Sequence, residues 1–192
     1  MDISPTSQIE PGAEIGENVG IGPNCFISGR AKIGDGCRLY NGVTILGNTT
    51  LGRNNVIHTS ATLGSPPQDL KYRGEDTRLV LGDNNSVREY VTMNVGTIQG
   101  GGLTRIGSNC LFMACSHVAH DCSLGDHVVM ANNVLLAGHV TVQDRAIING
   151  AAAINQFSTV GTLAFVGGLT RIVQDVPPYM IVEGNPAKEA VQ

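Results

Sequence analysis

The sequence predicts one all-β domain, a parallel β-helix built from hexapeptide repeats. From Ile3 to Leu63 an aliphatic residue recurs at every sixth position, a period that belongs neither to an α-helix nor to an ordinary strand. Glycine often follows the aliphatic residue, and 25 glycines suit a chain with many tight corners. Aromatic residues make up only 4% of the chain and Trp is absent, which fits a narrow interior.

In such a solenoid each hexapeptide supplies one short strand and one corner, and three of them close a triangular coil of about 18 residues. Residues one coil apart are then vertical neighbours, separated by the usual strand spacing of about 4.8 Å. A second inward position lies four places after each aliphatic one. Four of the five cysteines fall there and are interpreted as small core residues: Cys25, Cys37, Cys110 and Cys122. Cys115 falls elsewhere.

Two interruptions of the repeat predict excursion loops. The repeat keeps its phase across residues 64–80, whereas residues 94–105, which contain Gly100-Gly101-Gly102, shift it by one position. The pattern stops at Val176-Pro177-Pro178, because proline lacks the backbone donor that a further coil needs. We therefore expect a solenoid domain over residues 1–180 and a tail over residues 181–192.

Composition narrows the classes of function. The formal net charge is −4, from 12 basic and 16 acidic residues, and no stripe of Lys and Arg suggests nucleic acid as a partner. The sequence has no apolar signal core and no apolar run of membrane-spanning length. An odd number of cysteines without a CxxC motif is typical of a reducing compartment. These features predict a soluble cytoplasmic protein without membrane insertion.

The histidines indicate where the chemistry is. Four of the five are clustered in one stretch of the sequence, at positions predicted to face outward: His117, His120, His127 and His139. His120 precedes Asp121, and Gly138 comes one full coil later, directly above His120. A general base beside a backbone N–H is the pair of groups that acyl transfer requires. Three imidazoles in one neighbourhood could also bind zinc.

Several segments together carry a resemblance to a known family. They are residues 117–122 (HVAHDC), 131–133 (ANN) with 137–140 (AGHV), 69–72 (DLKY), 96–104 (GTIQGGGLT) and 174–179 (QDVPPY). They resemble the UDP-N-acetylglucosamine O-acyltransferases of lipid A biosynthesis, and the resemblance extends over nearly the whole chain. The two loops and the HVAHDC segment are more specific than the hexapeptides, which many enzymes share.

The resemblance implies a left-handed β-helix, assembled as a homotrimer with active sites in the clefts between subunits. An acyl carrier protein would deliver an acyl group, commonly 3-hydroxyacyl, to the 3-hydroxyl of UDP-N-acetylglucosamine, in the first step of lipid A biosynthesis. Neither a cofactor nor a metal ion is implied.

The resemblance also assigns expected roles to individual residues. His120 would be the general base, Asp121 its orienting partner and Gly138 the backbone donor to the oxyanion. The substrate cleft would be lined by Asp69, Lys71, His117, His139 and Gln156. Gly168 matches a position that limits acyl-chain length. Of these, Gln156 is also supported by register, because it comes one coil after Gly138.

The chain departs from its relatives in two respects. Asn155 stands before Gln156 where relatives carry histidine, and an amide still hydrogen-bonds but does not titrate near neutrality. It is expected to contact substrate and to retune acceptor binding. Relatives also continue into a helical C-terminal domain, so the tail over residues 181–192 is expected to be the start of a domain that is missing here.

Three alternatives remain open from the sequence. N-acylation of a UDP-amino sugar would use the same base and oxyanion donor. A zinc enzyme of the carbonic anhydrase type would use three histidines gathered across a subunit interface. A catalytically silent scaffold would need the repeat alone.

Overall fold

The computed structural model describes residues 2–189, and over that range the chain forms 28 short strands and no helix. The strands belong to three sheets, here called A, B and C, which form the three sides of the coil. The coil is left-handed, although parallel crossover connections are otherwise almost always right-handed. The predicted fold is therefore confirmed.

Sheet A contains β1 Asp2–Ile3, β4 Gly20–Ile21, β7 Arg38–Leu39, β10 Val56–Ile57, β13 Ser86–Val87, β16 Leu111–Phe112, β19 Val129–Met130, β22 Ile147–Ile148, β25 Phe165–Val166, β27 Ile181–Glu183 and β28 Lys188–Glu189. Sheet B contains β2 Gln8–Ile9, β5 Phe26–Ile27, β8 Thr44–Ile45, β11 Thr62–Ser65, β14 Thr92–Asn94, β17 His117–Val118, β20 Leu135–Leu136, β23 Ala153–Ile154 and β26 Arg171–Ile172. Sheet C contains β3 Glu14–Ile15, β6 Lys32–Ile33, β9 Asn48–Leu51, β12 Arg78–Leu81, β15 Leu103–Ile106, β18 Ser123–Leu124, β21 Thr141–Val142 and β24 Thr159–Val160.

The register follows the spacing that the hexapeptides predicted, three repeats to a coil. In sheet B, for example, His117 pairs with Leu135, and Leu135 pairs with Ala153, all in parallel. The recurring aliphatic side chains fill the interior, where residues such as Ile27 and Ile45 are completely buried. Each coil thus supplies the hydrogen-bond partners and the apolar contacts of the next, as in other solenoids.

The second inward position has the small core residues that the sequence predicted. Cys25, Cys37, Cys110 and Cys122 are buried, while Cys115 is exposed, and all five thiols are free. In one column the position is taken by Asn55 and Asn85 instead, both almost fully buried. The Asn55 Oδ1 accepts the Asn85 N–H at 2.9 Å, and the Asn85 Oδ1 accepts the Cys110 N–H at 2.8 Å. The buried amides hydrogen-bond to one another as a vertical ladder, and these bonds offset the free-energy cost of burying polar groups.

The two excursions leave the coil at the end of sheet B and return at the start of sheet C. Because β11, β12, β14 and β15 extend into the ranges expected to be loops, the excursions themselves are confined to residues 66–77 and 95–102. Leu63 pairs with Met93, thirty positions later instead of eighteen. The twelve added residues equal two hexapeptides, which explains why the phase is kept.

The second excursion has a different length. Leu81 pairs with Ile106, twenty-five positions later, so this coil carries seven added residues. Seven is one hexapeptide plus one residue, and this extra residue is the phase shift seen in the sequence.

Backbone pairing continues beyond the point where the sequence pattern stops. Val176 forms a parallel bridge with Val160, and β27 pairs in parallel with β25. The antiparallel strand β28 then pairs with β27. Residues 181–189 of the expected tail therefore add strands to sheet A, and residues 190–192 lie outside the described residues. Within residues 2–189 no helix is long and apolar enough to cross a membrane.

Candidate active site

His120 and Asp121 lie side by side at the corner between sheets B and C, here called the B–C corner. The His120 Nδ1 and the Asp121 Oδ2 are 2.8 Å apart. The Asp121 side chain is only 1% exposed, whereas that of His120 is 15% exposed. Because an ionised carboxylate can only accept hydrogen bonds, this pair is satisfied when the Nδ1 of His120 is the donor and the lone pair is on Nε2. This is the tautomer that a general base needs.

The buried carboxylate is held by the second excursion. Thr97 donates its backbone N–H to Asp121 Oδ1 at 2.7 Å and its hydroxyl to Asp121 Oδ2 at 2.6 Å. Thr104 accepts the Asp121 backbone N–H at 2.8 Å. Gly100 lies so close that a Cβ there would be 2.0 Å from the Asp121 Cγ. The loop thus packs against Asp121 and supplies two hydrogen-bond donors to its carboxylate.

Gly138 lies directly above His120, as its spacing predicted. The His139 N–H donates to the His120 carbonyl at 3.0 Å, which fixes the two coils in register. A Cβ on Gly138 would lie 2.5 Å from Cε1 and 2.7 Å from Nε2 of His120, so only glycine lets the imidazole rest there. The Gly138 N–H has no acceptor among residues 2–189 and remains free for a ligand.

His139 joins this group from the coil above. Its Nε2 is 3.6 Å from Asp121 Oδ2, and its ring meets His120 edge to face with centroids 5.1 Å apart. Phe157 stacks on the other side of His139 at 4.5 Å and is 67% exposed. Asp121, His139 and Phe157 form one column because they occupy the same corner of successive coils, and all three have a positive φ typical of that corner.

His117 lies on the outer face of β17, before the corner. Its Nδ1 is 2.7 Å from the Thr92 hydroxyl. Burial lowers the pKa of His117 below its ordinary value, and the neighbouring His120 lowers it further. His117 is therefore neutral near pH 7 and suited to hydrogen bonding rather than to carrying charge.

The other expected site residues are placed less closely around His120. Asn155 and Gln156 are both exposed. They lie in the coil above Gly138, as shown by the hydrogen bond from the Phe157 N–H to the Gly138 carbonyl at 3.3 Å. In the first excursion, Asp69 accepts the Lys71 N–H at 2.9 Å, and no hydrogen bond in the described part of the chain links either residue to His120. Gly168 follows β25 at the corner between sheets A and B, so one chain alone does not bring it to His120.

The histidines do not form a three-imidazole metal site within the described part of one subunit. The group whose potential ligand atoms approach within 4.8 Å is His120, Asp121 and His139, without His117. Asp121 Oδ2 already accepts from Thr97 and His120. The three-histidine zinc site considered from the sequence is therefore not formed within residues 2–189 of a single chain.

Thr97 and Phe157 are among the residues of the site that were not predicted from the sequence. Phe157 comes one coil after His139, so the same spacing that identified Gly138 could have found it. Thr97 belongs to an excursion, where the spacing of the coil does not apply.

A left-handed hexapeptide coil with a His–Asp pair beside a free glycine N–H defines a class, the hexapeptide-repeat acyltransferases. In agreement, the family model described as bacterial transferase hexapeptide (six repeats) matches residues 30–65 and 103–138.

Comparison with solved structures identifies the family within this class. LpxA from Acinetobacter baumannii is 44% identical, with a TM-score of 0.97, over 98% of this chain and 73% of that one. The UDP-N-acetylglucosamine O-acyltransferase (LpxA) from Moraxella catarrhalis is 43% identical, with a TM-score of 0.97, over 99% and 74%. The UDP-N-acetylglucosamine acyltransferase from Campylobacter jejuni is 39% identical, with a TM-score of 0.96, over 98% and 74%. This chain belongs to the UDP-N-acetylglucosamine acyltransferase family.

Proposed function

We propose that this protein transfers an acyl group from a thioester donor to the 3-hydroxyl of UDP-N-acetylglucosamine, the first step of lipid A biosynthesis. The observation that carries the proposal is the His120–Asp121 pair beneath the free N–H of Gly138. Membership of the family supports the acceptor sugar, and the resemblance of the loops supports an acyl carrier protein as donor.

The proposed chemical step uses these groups in order. The Nε2 of His120 accepts the proton of the sugar hydroxyl while Asp121 holds the proton on Nδ1. The sugar oxygen attacks the thioester carbonyl, and the N–H of Gly138 stabilises the negative charge that develops on the carbonyl oxygen. When the C–S bond breaks, the imidazolium returns its proton to the departing sulfur, so that an ester and a free thiol are the products.

The remaining site residues receive roles in substrate binding in this proposal. His117, His139, Asn155 and Gln156 offer hydrogen-bond groups on successive coils around His120. Lys71 is an exposed cation on the first excursion, next to Asp69, and is suited to the negative charge of a nucleotide diphosphate. Gly168 would leave room at the end of the acyl chain.

A homotrimer is also part of the proposal, because sheet A presents an apolar column on its outer face. The column consists of Leu111, Val129, Ile147, Phe165 and Ile181, each paired with the next. Phe165 is 40% exposed in the single chain and Ile147 is 38% exposed. A continuous exposed apolar stripe is typical of a protein interface. Gly168 lies at the A–B corner, at the edge of this stripe, and in this proposal the active sites lie in the clefts between subunits.

The first experiment is an acyl-transfer assay with 3-hydroxyacyl carrier proteins of several chain lengths and UDP-N-acetylglucosamine, with the product identified by mass. Replacing His120 by Ala is expected to reduce kcat by about 10² to 10⁴-fold, the usual contribution of a general base. The exposed His127 gives the matched control, His127→Ala, which should retain wild-type activity. Wild-type turnover that persists in His120→Ala would contradict the mechanism, and absence of turnover in the folded wild type would contradict the function.

N-acylation is the second candidate function, because Asn155 is exposed at the B–C corner where relatives carry histidine. A base and an oxyanion donor serve an amino acceptor equally well. The same assay with the 3-amino analogue of the acceptor separates the two, since the preferred acceptor has the larger kcat/KM.

A cytoplasmic location is part of the proposal as well. It is supported by the five free thiols, four of them buried, since free cysteines are typical of reducing compartments.

A further inference from the structure

We propose that Thr97 is a positioning residue that sets the tautomer of His120 by acting through Asp121. Thr97 forms no hydrogen bond with His120 in the described part of the chain, and it is 2% exposed at the base of the second excursion. The effect of Thr97 on the rate of acyl transfer rests on the proposed function, whereas its effect on the tautomer of His120 does not.

Thr97 binds both oxygens of the carboxylate. Its backbone N–H donates to Asp121 Oδ1 at 2.7 Å, and its hydroxyl donates to Oδ2 at 2.6 Å. Hydrogen bonds to a charged acceptor are stronger than neutral ones, and two of them from one residue fix the orientation of the acceptor. The plane of the Asp121 carboxylate is therefore defined by Thr97.

The direction of the threonine hydroxyl hydrogen is also determined. The Gly100 N–H donates to Thr97 Oγ1 at 3.1 Å, so this oxygen acts as an acceptor on that side and its own hydrogen points to Asp121. The Thr97 carbonyl accepts the N–H groups of Gly100 and Gly102 at 3.1 and 2.7 Å. These bonds fold the excursion into a tight turn, so that the threonine itself is held in place.

A second imidazole, that of His139, also lies near Asp121 Oδ2. The Nε2 of His139 is 3.6 Å from this oxygen, while the Nδ1 of His120 is at 2.8 Å. A carboxylate that could rotate would be able to turn toward His139. His120 could then carry its proton on Nε2, and in that tautomer it has no lone pair facing the acceptor sugar.

The test compares Thr97→Val, which keeps the shape but loses the hydroxyl, with Thr97→Ser, which keeps the hydroxyl. Loss of one hydrogen bond to a charged group predicts that kcat of the valine variant falls about ten- to a hundredfold while KM stays near wild type. The serine variant should recover most of the rate. Thr49→Val is the matched control, because Thr49 is also buried and donates to the Leu46 carbonyl at 2.7 Å, away from the site.

A spectroscopic measurement separates this inference from the proposed function. In protein carrying ¹⁵N-labelled histidine, the His120 signals, assigned with His120→Ala, should show the Nδ1–H tautomer in the wild type and in Thr97→Ser. They should show a mixture of tautomers in Thr97→Val, without any substrate present. If Thr97→Val does not fold, Thr97→Ala is measured with the same expectation.

The possible outcomes are distinct. A valine variant that keeps wild-type kcat, or that keeps a single Nδ1–H tautomer, would overturn the role of Thr97. A wild-type protein that shows the expected tautomer but no acyl transfer would contradict the proposed function. The role of Thr97 would then be tested by the tautomers of wild type and Thr97→Val alone.

Discussion

Replacing Gly138 by alanine tests the site most directly, because the change adds one methyl group beside the proposed base. The added Cβ would lie 2.5 Å from Cε1 and 2.7 Å from Nε2 of His120. The φ of Gly138 is not in the left-handed region, so alanine brings no backbone strain. The N–H that would stabilise the oxyanion is also retained. The perturbation is therefore limited to the position of the imidazole.

The size of the effect follows from these distances. Non-bonded carbon atoms are at their optimum about 3.5 to 4.0 Å apart, so His120 must move by about 1 Å to accept the methyl group. The backbone of the coil cannot move equally, because the His139 N–H is bonded to the His120 carbonyl at 3.0 Å. A catalytic group misplaced by about 1 Å can cost about 10²-fold in rate. We expect Gly138→Ala to lower kcat by that amount.

The assay is steady-state acyl transfer, with thermal unfolding measured on the same samples. Gly20→Ala is the control, since a Cβ at Gly20 would meet nothing within 4 Å. We expect this variant to keep wild-type kcat and stability. A Gly138→Ala protein with wild-type kcat would refute the placement of His120 against Gly138 as a requirement for catalysis.

Three further predictions concern the buried groups. Asp121→Asn should lower kcat by about 10² to 10⁴-fold at unchanged fold, because an amide can present an N–H to His120 where the carboxylate accepts; wild-type kcat in this variant would contradict an orienting role. Asn85→Ala removes the hydrogen bonds of this side chain to the next coil. It should lower the free energy of unfolding by about 1 to 3 kcal/mol for each group left unsatisfied. A variant that shows the wild-type free energy of unfolding in chemical denaturation would contradict the role of the asparagine ladder. At pH 8, alkylation followed by mass spectrometry should find the exposed Cys115 modified before Cys122. Burial raises the pKa of the Cys122 thiol to about 12, so little of it is present as the reactive thiolate. Equal modification rates for the two thiols would contradict the burial of Cys122.

The regular part of the fold could be predicted from the sequence because one physical rule generates it. An aliphatic residue at every sixth position fixes which side chains point inward, and the length of one coil then fixes which residues pair. Ile3 with Ile21 and His117 with Leu135 follow from that length alone. The exact ends of the excursions could not be predicted, because extended strands such as Arg78–Leu81 pair through the backbone and need no repeat in the side chains.

The candidate site likewise has a part that could be predicted from the sequence and a part that could not. The positions of Gly138 and Gln156 relative to His120 depend on the coil, so counting residues was sufficient to place them. The contact of Thr97 with Asp121 depends on how residues 95–102 fold, and a loop with three glycines has no periodic pattern from which this could be derived. Gly168 illustrates a further limit, because it lies at a different corner from His120. Its expected role therefore requires two subunits.

The placement of the proposed base at the B–C corner has a physical reason. A regular coil surrounds each corner residue only with the residues above and below it, and these are backbone groups and small side chains. An ionisable pair needs additional donors, since a buried carboxylate without hydrogen bonds is costly. Both excursions emerge at this corner, and the second one supplies the donors of Thr97 to Asp121. The excursion thus supplies the hydrogen bonds that a buried carboxylate needs, and Asp121 in turn orients His120, the proposed base.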